Sequence, residues 1–409
     1  MGYDIIKTES WDTVKYGLIL YKETDNLGDD IQSYAAMQFL PQVDYVIDRE
    51  ALDEFVPDKK EYVATIMNGW YLHKKTHFPF TPYIHPLLIS MHFTENDLIT
   101  KRGYEFLDGY TKDFLKPYGK IGCRDLVTES MLKEKGYDTY FSGCMTLTLD
   151  QIGKKKVSNY ICVIDMKEEI VEKIHTLFPE YEIKIMSHWL KPEESASMSL
   201  EERMNRVKEY LTIYQNAKLI ITDRLHCALP ALALETPVAL IYYDYNADRL
   251  STFKDYVTYY SEGKFMELSR EALLKLKNPT YYKKIRNSLK EKVSVFVKEA
   301  QTLKLDVKKL PDVKTYRDFV KREQHTTKLF TDQIKILQDE LEQTKKQAQE
   351  REKELYDTIV SMDKEIARLY PFEQEVKELN YQRTFRMYKK YYNYRKKKVS
   401  KKLPRGGVN

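Results

Sequence analysis

The stretch KLIITDRLHCALPALALETPVALIYYD, residues 218–244, decides the fold. Its first apolar run ends at Asp223, a compact helix of small residues is predicted over Cys227–Leu234, and a second apolar run covers Pro237–Tyr242. A strand, a short turn, a helix and a second strand form a parallel crossover, and parallel sheets bind ligands at the carboxyl ends of their strands. The stretch therefore predicts an α/β fold with a ligand site after its first strand.

Arg224 and His226 follow that first strand directly, where the next helix begins. The first turn of a helix offers free backbone N–H groups and a partial positive charge, which favour a bound anion. An imidazole ordinarily titrates near pH 6.5, at about neutrality. Two interpretations stay open for these residues alone: an anion site with an acid–base group beside it, or a structural pair of Arg224 with Asp223 and a capping histidine.

Composition limits the class of protein. The 409 residues suffice for two domains with further chain left over. The cysteines show neither a CxxC pair nor metal-ligand spacing, which predicts buried thiols in a reducing compartment. No secretory signal and no membrane-spanning apolar run is visible, so we expect a cytoplasmic protein. The cysteines are Cys123, Cys144, Cys162 and Cys227.

Positive charge is concentrated at the end of the chain. Residues 381–409 contain eleven Lys and Arg residues and no acidic residue, so a total charge of +5 leaves −6 on the rest. Tyrosines alternate with these basic residues, which suits the surface of an anionic membrane. Nucleic acid would also accept such a tail, but the acidic body offers no second basic face. The pattern predicts a membrane-surface partner and no nucleic acid.

The first predicted strand, Tyr16–Tyr21, leads into Asp25-Asn26-Leu27-Gly28-Asp29-Asp30 and then into a helix. One interpretation is a tight turn with Asp29 or Asp30 as the helix cap. The other is a substrate-binding loop at the carboxyl end of a strand.

Two further strand ends carry polar groups. Asn68-Gly69-Trp70 follows a strand predicted over Tyr62–Met67, and another strand is predicted over Leu87–His92. The nearby histidines do not have the spacing of a metal motif, so we interpret them as a substrate-facing wall or as loop residues and expect no metal site. They are His73, His77, His85 and His92.

Arg124 also lies where a short strand meets a helix, predicted over Leu126–Lys135 and ended by Gly136. It either binds a carboxylate or phosphate or forms a structural pair with Asp125.

A polar linker at residues 151–158 precedes a second alternation of strands and helices. We therefore predict two facing Rossmann-like domains in a GT-B-like arrangement, residues 1–152 and 153–311, followed by a long C-terminal helix and basic tail. Neither a dinucleotide fingerprint nor a P-loop is present.

Residues 312–370 are predicted to form a charged helix with an apolar residue at every seventh position from Ile334 to Leu369. The positions three residues later are mostly polar, which indicates marginal coiled-coil capacity and leaves oligomerisation open. Pro371 is predicted to end the helix, and residues 371–409 form the basic aromatic tail.

Three stretches resemble the polysaccharide pyruvyl transferase family: Asn26–Asp30, Ile121–Leu149 and Thr222–Val238. The resemblance implies two Rossmann-like domains around a cleft in which phosphoenolpyruvate donates its three-carbon unit to a sugar as a cyclic ketal. Phosphoenolpyruvate is then a co-substrate, and no cofactor is expected. Members of the family often carry Gly-Gly where this chain has Asn68-Gly69-Trp70.

The resemblance assigns donor binding to Arg224, Arg124 and the adjoining Leu225, and it places His226 at the reaction. We expect His226 to protonate C3 of phosphoenolpyruvate, and Asp29 or Asp30 to help deprotonate the acceptor hydroxyl. The acceptor side, on the N-terminal domain, is assigned to Asn26, Gly28, Asn68 and His92. A lipid-linked glycan is the expected acceptor, because the tail would hold the enzyme at the inner face of a membrane.

Two other functions remain open. A GT-B glycosyltransferase that uses a nucleotide sugar would share the fold and the tail, although the only acidic residue near the second-domain turn, Glu235, lies at the end of the helix. A non-catalytic coiled-coil scaffold in envelope assembly would share the long helix.

Overall fold

The computed structural model of the chain describes residues 14–71, 79–93, 110–243, 250–302 and 305–400. His73, His77 and the last part of the basic tail lie outside these residues. The chain divides into two compact units, residues 1–320 and residues 321–409.

The first unit is built from short strands whose pairings, in the described chain, are all parallel. The strands are β1 Lys15–Leu20, β2 Tyr45–Asp48, β3 Val63–Ile66, β4 Gly69–Trp70, β5 Ile84–Leu87, β6 Met91–His92, β7 Ile121–Cys123, β8 Thr139–Phe141, β9 Tyr160–Ile164, β10 Glu182–Met186, β11 Leu219–Thr222, β12 Val238–Tyr242 and β13 Thr258–Ser261.

Helices connect and flank these strands, and the last helix extends into the second unit. The helices are α1 Leu27–Met37, α2 Tyr110–Leu115, α3 Leu126–Glu134, α4 Glu168–Leu177, α5 Pro192–Ser197, α6 Leu200–Asn216, α7 Leu225–Ala233, α8 Glu262–Met266, α9 Arg270–Leu274, α10 Tyr282–Thr302 and α11 Val313–Ser400.

The second half of unit 1 forms one five-stranded sheet in the order β10-β9-β11-β12-β13. Its centre is the β11–α7–β12 crossover that the quoted stretch predicted. Every residue of β11 is buried, because the strand has neighbours on both edges and a hydrophobic core on each face. An α/β fold with parallel sheets is confirmed.

The first half differs from the expectation in one respect. Its strands form two four-stranded sheets, β2-β1-β3-β5 and β4-β6-β7-β8, rather than one. The strand predicted over Leu87–His92 was wrong in extent, because β5 ends at Leu87 and β6 begins only at Met91. Ser90 lies between them with a φ of 52°, and its hydroxyl donates to the carbonyl of Gly143 at 2.7 Å. The positive φ takes the chain out of strand geometry, and the next strand, β6, joins the other sheet.

Helix α1 joins the two halves. Its apolar side chains belong to the same hydrophobic core as those of α6 and α7, for example Ile31 with Leu211 and Leu229. The loop before α1 pairs with the loop after β10: the N–H of Leu27 donates to the carbonyl of His188 at 2.9 Å. The two halves therefore share one core and one stretch of paired backbone.

The linker between the two halves contacts the C-terminus of helix α7. The ammonium group of Lys155 donates to the carbonyls of Leu234 and Glu235, at 3.0 and 2.9 Å. These carbonyls lie at the C-terminus of the helix, where a cation offsets the negative end of the dipole.

The predicted helix break at Pro371 was wrong. Helix α11 runs through Pro371 without a break and spans 88 residues, so the described part of the basic tail is helical. A proline inside a helix removes one backbone hydrogen bond and costs about 3 kcal/mol. The helix formers on both sides outweigh that local cost.

The apolar residues at every seventh position of α11, from Ile334 to Leu369, form a seam along the helix. The spacing to the next apolar residue changes along this seam. Ile334 is followed by an apolar residue three positions later, at Leu337, whereas Leu355 and Met362 are followed by one four positions later, at Ile359 and Ile366. These side chains are all exposed. Such a change of register is a four-residue stutter in a heptad pattern. Oligomerisation through this seam stays a prediction.

We expect a chain that ends at Tyr370 to lose helical signal from the missing residues 371–400. Molar ellipticity at 222 nm measures this on the full-length and shortened proteins at equal molar concentration. An unchanged signal per molecule would contradict a helical tail.

Candidate active site

The site lies where the N-termini of α1 and α7 meet. Asn26, not Asp29 or Asp30, caps α1: its side chain accepts from the N–H of Gly28 at 2.9 Å. Arg224 occupies the capping position of α7 in an extended backbone conformation. The two strand-to-helix turns that the sequence singled out therefore meet at one place.

His226 packs directly on Gly28. A Cβ added to Gly28 would lie 3.0 Å from Cβ and 3.1 Å from Nδ1 of His226, closer than most side-chain contacts. Only glycine lets the imidazole approach the first turn of α1 this closely. Pro230, four residues after His226, has no N–H to donate to the carbonyl of His226, so the first turn of α7 lacks that helix bond.

The Arg224 guanidinium is held from two sides. Its Nε donates to Oδ2 of Asp165 at 2.9 Å, and its Cζ lies 4.8 Å from the centre of the Trp189 ring. A quarter of the side chain, 26 %, remains exposed. Asp165 and Trp189 together fix the direction of a cation that still reaches solvent.

Asp165 and His188 are residues that the sequence interpretation missed. Asp165 has a φ of 55°, and its carboxylate also accepts from the N–H of His188 at 3.0 Å. His188 donates or accepts with the hydroxyl of Tyr214 at 2.7 Å, and burial lowers its pKa to about 4. It is neutral at pH 7. A sequence signal existed for Asp165, because it ends an apolar strand as Asp223 does.

Arg124 reaches the same face of α1. Its Nη1 donates to Oε1 of Gln32 at 3.2 Å, and Gln32 lies one helical turn after Gly28. The distance from its Nε to Asp125 is 3.8 Å, too long for a hydrogen bond. Arg124 is therefore oriented mainly by Gln32, a helix residue that no strand-end rule would have found.

Of the residues predicted for the acceptor side, Asn68 contacts α1 and His92 contacts Asp125. Asn68 is buried, and its Nδ2 donates to the carbonyl of Gln32 at 3.0 Å. His92 is buried beside Asp125, with 2.5 Å between Nδ1 and Oδ2. Burial alone would raise the pKa of Asp125, but the hydrogen bond and charge of His92, together with Arg124, bring it down to about 2. His92 is held by a carboxylate behind the site.

The two carboxylates of α1 both form ion pairs. Asp29 accepts from Arg49 at 2.9 Å and from the hydroxyl of Thr24 at 2.8 Å. Asp30 is 1 % exposed and accepts from Arg203 at 3.1 Å; burial raises its pKa to about 6 despite that partner. These contacts argue against Asp30 as a base that meets substrate, and Asp29 is the more accessible of the two.

Leu225 has its side chain buried in the core and its N–H in the first turn of α7, where helix donors point outward. Donor binding by Leu225 stays a prediction, and it would have to use the backbone N–H because the side chain is buried.

The four cysteines are free and buried, and burial raises the pKa of the thiol in each. A thiol with a raised pKa stays protonated at neutral pH and is a poor nucleophile. Among the residues that the structure describes, no group of His, Cys, Asp and Glu is arranged to hold a metal ion.

The structure is that of an α/β protein whose candidate site contains two cationic side chains, a helix N-terminus and an imidazole. The family model for polysaccharide pyruvyl transferase matches residues 26–245, more than half of the chain. The chain belongs to that family. The match begins at the Asn26 cap and ends just after β12, so it contains every site residue described above.

Other comparisons are distant. No curated protein matches the sequence. A functionally uncharacterised protein from Klebsiella pneumoniae aligns over 58 % of this chain and 87 % of its own, at 14 % identity and a TM-score of 0.34. A UDP-GlcNAc 2-epimerase from Methanocaldococcus jannaschii aligns over 70 % and 100 %, at 12 % identity and 0.37. The heptosyltransferase WaaC from E. coli aligns over 68 % and 99 %, at 14 % identity and 0.28.

In the described residues, none of the helices combines the length and the apolar character needed to span a bilayer.

We expect Arg203→Met to lower the free energy of unfolding by about 3–5 kcal/mol at pH 8, because it leaves the Asp30 carboxylate buried without its partner. The loss should shrink at pH 5, where the orphaned carboxyl can bind a proton. Urea unfolding at both pH values measures the difference.

Arg206→Met, on the same helix, is the matched control. Arg206 pairs with Glu194 at the surface, so its loss should cost less than about 1 kcal/mol. Equal losses in the two variants would contradict a special role for the buried pair.

Proposed function

We propose that this chain transfers the three-carbon unit of phosphoenolpyruvate to two hydroxyls of a glycan, forming a pyruvate ketal and releasing phosphate. The observation that carries the proposal is the packing of His226 on Gly28 where α1 and α7 meet, with Arg224 at the capping position of α7 and Arg124 bonded to Gln32 of α1. Phosphoenolpyruvate carries a phosphate and a carboxylate. Two guanidinium groups and a helix N-terminus complement these charges.

The residues divide by role. Arg224 has a part-exposed guanidinium held by Asp165 and Trp189, which suits the phosphate. Arg124 is buried beside Gln32, and we assign it to the carboxylate. The first backbone N–H groups of α7, from Leu225 onward, add further donors to the phosphate side.

His226 acts as the general acid in the proposed reaction. Its proton goes to C3 of phosphoenolpyruvate, converting the methylene to a methyl group, while a glycan hydroxyl oxygen bonds to C2 and loses its proton. A second hydroxyl then bonds to C2 and loses its proton as the C2–O bond to phosphate breaks. Inorganic phosphate leaves, and both new C–O bonds close the ketal. No step requires a metal or a cofactor.

Asp29 is the proposed base for the acceptor hydroxyl. It follows Gly28 on α1 and is part-exposed, whereas Asp30 is buried against Arg203. The proposed acceptor side consists of Asn26, Gly28, Asn68 and His92.

The acceptor is proposed to be a lipid-linked glycan precursor of a cell-surface polysaccharide. Buried free thiols fit a reducing cytoplasm, and a basic aromatic helix fits a peripheral position at the inner face of a membrane. The long helix provides a second proposed contact, with another copy of the chain.

Phosphoenolpyruvate should raise the melting temperature of the wild-type protein, and Arg224→Ala should remove the effect. A ligand at a hundred times its dissociation constant adds about 2.7 kcal/mol to the folded state. Thermal shift measures it, with Arg270→Ala, an ion-paired arginine elsewhere in the same half, as the control. Stabilisation by uridine or guanosine sugar nucleotides alone would instead identify a glycosyltransferase.

His226→Ala should abolish turnover while phosphoenolpyruvate binding survives, because the imidazole donates a proton rather than holding the donor's charges. Turnover is followed as phosphate released from phosphoenolpyruvate with a lipid extract as acceptor, and binding as thermal shift. His175→Ala, an exposed histidine on α4, serves as the control. Full turnover in His226→Ala would contradict the assignment of His226 as the general acid.

A further inference from the structure

The end of helix α11 carries aromatic side chains along one face. Tyr381, Phe385, Tyr388 and Tyr392 follow one another at spacings of four, three and four residues, which places them together; we call them the aromatic stripe. Neighbouring rings along it stack, with centroids 6.4 Å apart for Tyr381–Phe385 and 6.5 Å for Tyr388–Tyr392. All four side chains are more than half exposed.

Basic residues flank this stripe on both sides. Lys389 and Lys396 each follow a stripe residue by four positions, so they lie beside it on the helix surface. Arg395 follows Tyr392 by three positions and lies on the other side. The last acidic residue of the chain is Glu378, before the stripe begins. From Phe385 onward the stripe is therefore bordered by positive charge alone.

The aromatic stripe does not continue the heptad seam. Val376 is the last apolar residue at the seven-residue step of the seam, and the next two steps are basic, Arg383 and Lys390. Val376 and Phe385 are nine residues apart, which is two and a half turns of an α-helix, so they lie on opposite faces. A second copy of the chain that pairs along the seam would leave the aromatic stripe uncovered.

We propose that the helix from Tyr381 to Lys397 lies in the plane of an anionic bilayer, with the aromatic stripe at headgroup depth and the flanking basic side chains on lipid phosphates. The aromatic rings bring apolar faces with polar edges, which suit the membrane–water boundary. The charge complements anionic lipid, and two copies of so basic a segment would repel each other. The helix is too polar to span the bilayer, so it lies on the surface.

The test compares two double variants of the full-length chain in sedimentation with phosphatidylcholine–phosphatidylglycerol vesicles. Phe385→Ser with Tyr388→Ser removes two stripe residues. Met387→Ser with Tyr394→Ser removes two equally exposed apolar side chains from outside the stripe. The first variant should lose about tenfold or more in partitioning, whereas the second should stay within about twofold of wild type.

Raising the salt concentration should weaken binding of the wild-type protein, because the attraction between basic side chains and lipid phosphates is screened. Equal loss in the two double variants, equal binding to pure phosphatidylcholine vesicles, or binding to duplex DNA but not to vesicles would overturn the proposal. The vesicle assay does not depend on catalysis. A failure of the pyruvyl transfer proposal would leave it standing, and the reverse also holds.

Discussion

The buried ion pair between Asp30 and Arg203 is the contact on which the rest of unit 1 depends. It joins α1 of the first half to α6 of the second, with both side chains almost fully removed from solvent. Burial of two charges is tolerated only when each is satisfied, and Arg203 also donates to the carbonyl of Lys22 at 2.7 Å. The pair and the paired loops at Leu27 and His188 set the approach of α1 to α7, and so the contact of His226 with Gly28.

The two helices of the site have different tasks. Helix α7 carries the groups proposed to bind an anion, and Asp165 fixes the direction of Arg224. Helix α1 supplies the surface on which the other parts are arranged, since Gln32 orients Arg124 and accepts from Asn68. The neutral His188 beside Asp165 adds no positive charge that would compete with Arg224 for that carboxylate. Arg224 is thus oriented by an acidic side chain, Asp165, and Arg124 by a neutral one, Gln32.

The sequence alone predicts those features that depend on residues close together in the chain. Polar residues at the ends of apolar runs identified Arg124, Arg224 and His226, and the crossover around β11 followed from hydrophobic pattern alone. The sequence alone does not predict the role of a residue when that role depends on a partner far away in the chain. Asp30 resembled a capping carboxylate because Arg203, 173 residues away, leaves no local trace. Local rules predict a helix end at Pro371 because they count the cost of the proline and not the stabilising length of helix on both sides.

The hydrogen bonds of Lys155 to the end of α7 have a consequence for recombining the two halves of related proteins. The linker residue belongs with the second half, since it caps the helix whose other end carries Arg224. A chimera joined at residue 152, inside the linker and before Lys155, keeps the lysine with its helix. A junction a few residues later, between Lys155 and β9, would leave β9 equally intact. It would, however, replace Lys155 by a residue of the other protein at the C-terminus of α7, where the negative end of the helix dipole lies. The best junction for such a chimera is therefore set by the charge of Lys155 and not by the start of β9.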